Sequence, residues 1–172
     1  VALKPVPLLV KVAHLYPELH IKNHPLLLRA MHDLMYNHGV PVQVALAGNG
    51  KQDALKKLVH ELRLDGYVHF LGCTDQTPEL LYYADICLLA SSKEAFGMVL
   101  AEGGLLAKPT IAATGTGAAG WLIIDQETGY LFENNNAASL ADTIAWVLAH
   151  PAEAQACGKR SYERVIADFL PL

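Results

Sequence analysis

The stretch Ile86-Cys87-Leu88-Leu89-Ala90-Ser91-Ser92-Lys93-Glu94-Ala95-Phe96-Gly97-Met98-Val99-Leu100-Ala101-Glu102 changes character twice. Its first five residues are continuously apolar, as expected of a strand buried on both faces of a sheet. A short polar passage, Ser91 to Glu94, follows. From about Phe96 to Ala107 the pattern then predicts a helix. Pro109 leads out of that helix into Thr110-Ile111-Ala112-Ala113, a further apolar strand. A buried strand, a helix and a second buried strand form the unit of a parallel sheet with crossover helices.

The same alternation extends in both directions. Pro7 to Ala13, Val42 to Ala47 and Tyr67 to Leu71 predict strands upstream, and Tyr130-Leu131-Phe132 predicts one downstream. Between them, Pro25 to Asn37 carries Leu27, Leu28, Met31, Leu34 and Met35 at helical spacing, with Asn23 as its N-cap and Gly39 as its stop. Gln52 to Leu62, Thr77 to Tyr83, Ser139 to Ala149 and a segment from Pro151 to about Phe169 predict the other helices. Gly115, Gly117 and Gly120 punctuate the segment after the fifth strand. The fold class is therefore α/β, a doubly wound, Rossmann-like parallel sheet of about six strands with helices on both faces. Residues 1–172 form one domain, with no internal repeat or linker.

Composition narrows the function classes. Of 172 residues, 52% are hydrophobic and 17% charged, with a net charge of −4. This is a globular composition with enough chain for a core. The cations are scattered rather than gathered in a stripe, which argues against nucleic acid as a partner. No apolar run reaches the roughly 18 residues that span a bilayer. Cys73, Cys87 and Cys157 are odd in number and widely spaced, so a reduced, cytoplasmic setting with three buried packing thiols is expected. The histidines follow no metal-ligand spacing.

Ligands of an open parallel sheet bind beyond the carboxyl ends of its strands. That rule selects His14 to Lys22, Gly48-Asn49-Gly50, Gly72 to Gln76, Ser91 to Gly97 and Thr114 to Gly120. The glycines at 48 and 50 have two readings: a tight strand-to-helix turn, or close backbone approach to a ligand. The amides of Phe96, Gly97, Met98 and Val99, at the start of a helix, suit an anion, and Gly97 leaves room for a bulky one. Glu102, on an otherwise apolar helix, calls for a partner, and a ribose diol is one candidate. From the pattern alone, a solvated or buried, paired glutamate is the alternative.

At these residues the chain resembles the retaining glycosyltransferases of the GT-B fold, family four. The resemblance rests on two glutamates separated by seven residues around a Phe-Gly pair, Glu94 to Glu102, and on Leu46 to Gly50, Val68 to Gly72 and Thr128 to Phe132. It implies that the chain is the C-terminal, donor-binding half of such an enzyme, with the N-terminal half absent. Glu102 would hold the ribose hydroxyls, and the amides near Gly97, Met98 and Val99 the diphosphate. Glu94 and its neighbours Ala95 and Phe96 would face the donor sugar, and Thr74 and Asp75 would border the base. Lys22 stands where the family has a diphosphate-binding lysine, so Glu94 and Lys22 are the implied catalytic pair. His14 stands where the family usually has arginine, and supplies at most one charge and no fork. The family's acid after the fifth strand is missing from Gly117-Ala118-Ala119-Gly120-Trp121, so that loop is assigned no ligand.

The resemblance further implies transfer of a hexose-type sugar from a UDP- or GDP-linked donor to a glycan or lipid acceptor bound by the other half. No cofactor and no metal is expected. Cell-envelope polysaccharide synthesis at the inner face of the membrane, with peripheral contact by the full-length protein, fits this implication. The isolated chain would bind donor without turnover. Competing readings are another GT-B enzyme, such as an epimerase or a phosphorylase-like protein, and a non-enzymatic partner or regulatory module with a decayed site. A dinucleotide oxidoreductase would need Gly-x-Gly-x-x-Gly after the first strand, where His14-Leu15-Tyr16-Pro17 stands instead.

Overall fold

The computed structural model describes residues 6–13, 15 and 21–169. Its elements alternate as follows: β1 (Leu8–Val12), α1 (His24–Tyr36), β2 (Gln43–Ala47), α2 (Asp53–Glu61), β3 (Val68–Gly72), α3 (Thr77–Tyr83) and β4 (Ile86–Leu89). After these come α4 (Met98–Leu105), β5 (Thr110–Ala113), α5 (Ala118–Leu122), β6 (Tyr130–Phe132), α6 (Ala137–Ala149) and α7 (Pro151–Phe169). The strands form one six-stranded sheet in the order β3-β2-β1-β4-β5-β6, and every pairing is parallel. This is the doubly wound arrangement expected from the alternation.

Two apolar layers sandwich the sheet, because successive strand residues face opposite sides. Leu9, Val44, Leu46, Leu88 and Ile111 join α1, α2 and α6 on one face. Leu8, Val10, Ala45, Cys87, Leu89 and Ala112 join α3, α4 and α5 on the other. β2, β4 and β5 are buried along their whole length, which explains why they are apolar except for Gln43 and Thr110 at the starts of β2 and β5. β3 forms one edge of the sheet and is only half-buried.

Three expectations are corrected. The fourth helix begins at Met98, not Phe96, because Gly97 takes a left-handed conformation (φ 75°) and caps it. Its end at Leu105 precedes the left-handed Ala107. The glycine-punctuated segment after β5 contains a short helix, α5. Asn23 does precede α1, but with φ 51° and without a side-chain bond to the helix start. Its amide instead donates to Asn135 Oδ1 at 3.0 Å. α4 lies close to the sheet because Gly103 has no Cβ; one there would come within 3.0 Å of the Cys87 side chain.

Candidate donor site at the topological switch point

The order of strands reverses between β1 and β4, whose chains leave in opposite directions from adjacent strands. Such a divergence opens a crevice at the carboxyl edge. The β1–α1 and β4–α4 loops meet there. Ser92 N donates to Ile21 O at 2.7 Å, and the Lys22 ammonium pairs with Glu94 Oε2 at 2.7 Å. Both side chains retain contact with water, at 26% and 17% exposure. An ion pair so placed can exchange its carboxylate for another anion without unfolding anything.

Lys22 stands between two clefts. One, about 550 Å³, is lined by Ile21, Lys22, Lys93, Glu94 and the Gly115-Thr116-Gly117 turn. The other, about 240 Å³, is lined by Val12, Lys22, Gly48, Asn49, Cys73 and Thr74, among others. Of the predicted site residues, Lys22, Glu94, Gly48, Asn49 and Thr74 are therefore brought together. A larger hollow, about 700 Å³, is lined by Pro7, Asp85, Ile86, Lys108 and Pro109, at the amino ends of β1, β4 and β5. It holds none of the predicted residues, and chemistry rather than size decides between them.

The other predicted residues are placed less directly. Asp75 is exposed and lines neither cleft, while the Thr74 hydroxyl accepts from Gln76 N at 3.0 Å. The Phe96 ring, half-exposed, meets Phe169 edge-on at 6.2 Å rather than lining a cleft. Met98 is exposed, and the Val99 side chain enters the core, so only backbone amides there are available to an anion. Phe96, lying before the cap, contributes no helix-start amide. Glu102 is half-buried in the second turn of α4, with no ion pair or side-chain hydrogen bond among the described residues. Burial raises its pKa above the ordinary carboxylate value. His14 lies outside the described residues.

Gly50 has a reason other than ligand approach. At φ +147° a Cβ on it would lie 2.4 Å from the Leu15 backbone carbon, so the space is taken by the chain itself. The turn also holds that loop through Leu15 N to Asn49 O at 2.7 Å. Cys73, expected to be buried, is exposed beside the smaller cleft; Cys87 and Cys157 are buried as expected.

Sequence reasoning missed three contributors. The Gly115 to Gly117 turn, left without a role, forms a wall of the larger cleft. Glu94 N donates to Thr116 O at 3.2 Å, and a Cβ on Gly117 would sit 2.8 Å from Glu94 O. The loop after β6 laces the site: Asn134 Nδ2 donates to Ser92 O at 3.1 Å while Asn135 receives Asn23. Lys11, one residue before the carboxyl end of β1, is fully buried and donates to Lys22 O at 2.6 Å. The available signals were three consecutive asparagines after a strand, and a lysine inside an apolar run.

Gly117→Ala is expected to lower stability by about 1–3 kcal/mol, the usual cost of a side chain in a glycine-only conformation. The glycine has φ 68° and ψ −77°. Denaturant unfolding checks the loss, and displaced Glu94 and Thr116 amide resonances check its location.

With this geometry in place, comparison with known proteins is decisive. The family model of glycosyl transferases group 1 matches residues 3–164. The chain belongs to this family. It is 34% identical over 131 residues to N-acetyl-alpha-D-glucosaminyl L-malate synthase of Bacillus anthracis, covering 76% of this chain and 34% of that protein. The chain thus spans about a third of that relative's length. Among solved structures, HepE of Anabaena in complex with UDP-glucose superposes with a TM-score of 0.87 at 24% identity, over 96% of this chain and 45% of that one. The C-terminal domain of the group 1 protein LpcC of Francisella tularensis gives 0.80 at 20% identity, over 97% of this chain and 89% of that one. These two likenesses concern the fold. The glycosyl transferase group 1 domain is thus the α/β unit whose switch point carries Lys22 and Glu94, and no described helix is long and apolar enough to cross a membrane.

Proposed function

We propose that this domain binds a nucleoside-diphosphate sugar and serves as the donor half of a retaining glycosyltransferase acting with a hexose-type donor. The observation that carries the reading is the Lys22–Glu94 pair at the switch point, flanked by a cleft on either side. The diphosphate takes the place of Glu94 beside Lys22. The base extends toward Gly48, Asn49 and Thr74, and the sugar lies toward Glu94 and the Gly115 to Gly117 turn. The likeness in fold to HepE, whose structure holds UDP-glucose, supports a nucleotide-sugar ligand.

Each residue then has a chemical task. As the glycosidic bond breaks, negative charge grows on the departing diphosphate, and a preorganised cation at Lys22 stabilises it. The free amides of Met98 and Val99, with the helix dipole behind them, add to that field. Glu94, released from Lys22, accepts hydrogen bonds from sugar hydroxyls. Glu102 accepts from the ribose diol. The cation at Lys22 supplies the charge compensation that a divalent ion provides in metal-dependent transferases, so the reading requires no metal. A second domain brings the glycan or lipid acceptor, which makes the isolated chain a binder without turnover.

Burial favours the protonated form of Glu102. A ribose diol needs the ionised acceptor, so nucleotide affinity falls as pH drops through that raised pKa. Glu102→Gln binds more weakly and loses this part of the pH dependence. Calorimetric titrations of both proteins across mildly acidic pH check it; parallel pH profiles would separate Glu102 from the nucleotide.

A further inference from the structure

Lys11 is among the large, fully buried side chains of the described residues and stands on a central strand. It shares its face of the sheet with Leu9 and lies in register with Leu46, both in the apolar layer under α1 and α2. A leucine or methionine would fill this place without burying a charge. The lysine makes one polar contact among the described residues, from Nζ to Lys22 O at 2.6 Å.

That acceptor is well placed. The carbonyl of Lys22 belongs to the peptide plane it shares with Asn23, whose φ of 51° is held open to a non-glycine residue by the Asn23–Asn135 bond. With the carbonyl drawn inward by Lys11, the Lys22 side chain leaves the loop toward Glu94. Without that bond the backbone of Lys22 and Asn23 would be tethered less firmly, and with it the Cα from which the Lys22 side chain reaches Glu94.

Burial, then repulsion from Lys22, lowers the pKa of Lys11 to about 7, while attraction to Glu94 opposes them. The charged groups acting on it are thus Lys22 on its own connection and Glu94 after β4. Among the buried residues of α1, α2 and α6, which cover this face, His24 is the one ionisable group. A diphosphate beside Lys22 would add negative charge and favour the protonated ammonium, a stronger donor to the carbonyl than the neutral amine.

We propose that Lys11 is a positioning residue of the donor site: it holds the Lys22–Asn23 peptide so that Lys22 faces the crevice, and it takes up a proton from solvent when a diphosphate arrives. The second clause rests on the function proposed above. The first is independent of it.

The test uses the chain and its Lys11→Met variant. Without ligand, the carbonyl carbon resonance of Lys22 is followed by NMR through neutral pH. The expected result is one titration step in the parent chain and none in the variant. UDP and GDP are then titrated by calorimetry in buffers of differing ionisation enthalpy. Proton uptake is expected for the parent alone, with affinity about ten- to a hundredfold weaker in the variant, the range seen when a group that orients a metal-binding side chain is removed. A carbonyl that does not titrate in the parent, or equal affinity and equal proton uptake in both proteins, overturns the proposal. If neither protein binds either nucleotide, the donor-site reading fails, and the carbonyl titration still decides the positioning role.

Discussion

With the donor-half function proposed above, Lys22→Ala is expected to lower turnover of the full-length protein by about a hundred- to a thousandfold, the range for losing one preorganised charge-stabilising group. The loss has two parts. The first is the missing cation at the developing diphosphate. The second is Glu94, left at the crevice with no counter-charge, repelling the ligand that Lys22 attracted. Nucleotide affinity of the domain should therefore fall as well, and Lys22→Arg should recover part of both, since it restores charge but not the shape of the contact. Stability should fall by about 1 kcal/mol or somewhat more, because the pair keeps contact with water but Glu94, 17% exposed, is left without its partner. Steady-state kinetics on the whole transferase and calorimetry on the domain separate the two parts. Full turnover in Lys22→Ala would remove this residue from the chemistry.

The second large effect is on stability, in the opposite sense. Lys11→Met is expected to stabilise the domain by about 3 kcal/mol at and below neutral pH. A fall in pKa from 10.5 to about 7 means that the folded state disfavours the Lys11 proton. That penalty is close to 5 kcal/mol when the side chain is charged in both states, and losing the bond to Lys22 O returns about 1–2 of it. Between the two pKa values the unfolded chain binds more protons than the folded one. Stability of the parent therefore rises as pH increases from about 7 to 10.5, and is fully reduced below that window. The variant should show no such rise. Denaturant unfolding at several pH values gives the answer; a less stable variant, or identical pH profiles, would contradict the burial argument. A variant that gains stability and loses nucleotide affinity would identify Lys11 as a group whose retention serves function.

The architecture was legible because burial on both faces writes itself into composition. Ile86 to Leu89 and Ile111 to Ala113 are apolar without interruption, and both lie in strands buried along their length. Tyr130–Phe132 and the helix from Pro151 to Phe169 were also found at their ends. Boundaries set by backbone conformation were less legible. The helix after β4 starts two residues later than expected because Gly97 turns left-handed, which hydrophobic spacing does not record.

The site was legible where one strand end meets one motif. The rule that ligands gather at carboxyl ends selected the loops of Lys22 and Glu94, 72 residues apart, and the fold joins them at 2.7 Å. It could not say which glycine serves a ligand. Gly50 makes room for Leu15, and Gly117 for Glu94. Nor could spacing reveal that Asn134 and Asn135 tie the β1 and β4 loops from a third direction, since those contacts depend on tertiary closure. Lys11 was hidden for another reason. One lysine in a strand reads as an edge or solvent-facing residue, and only the strand order shows that β1 is central.

The central claim is that the crevice around Lys22 and Glu94 holds a nucleoside diphosphate. Calorimetric titration of the domain with UDP, GDP and ADP, each repeated with Lys22→Ala and Glu102→Ala, tests it most directly. Saturable binding of at least one nucleotide by the parent, lost or strongly weakened in both variants, is the predicted result. Binding that persists unchanged in both variants, or no binding of any of the three, would contradict it.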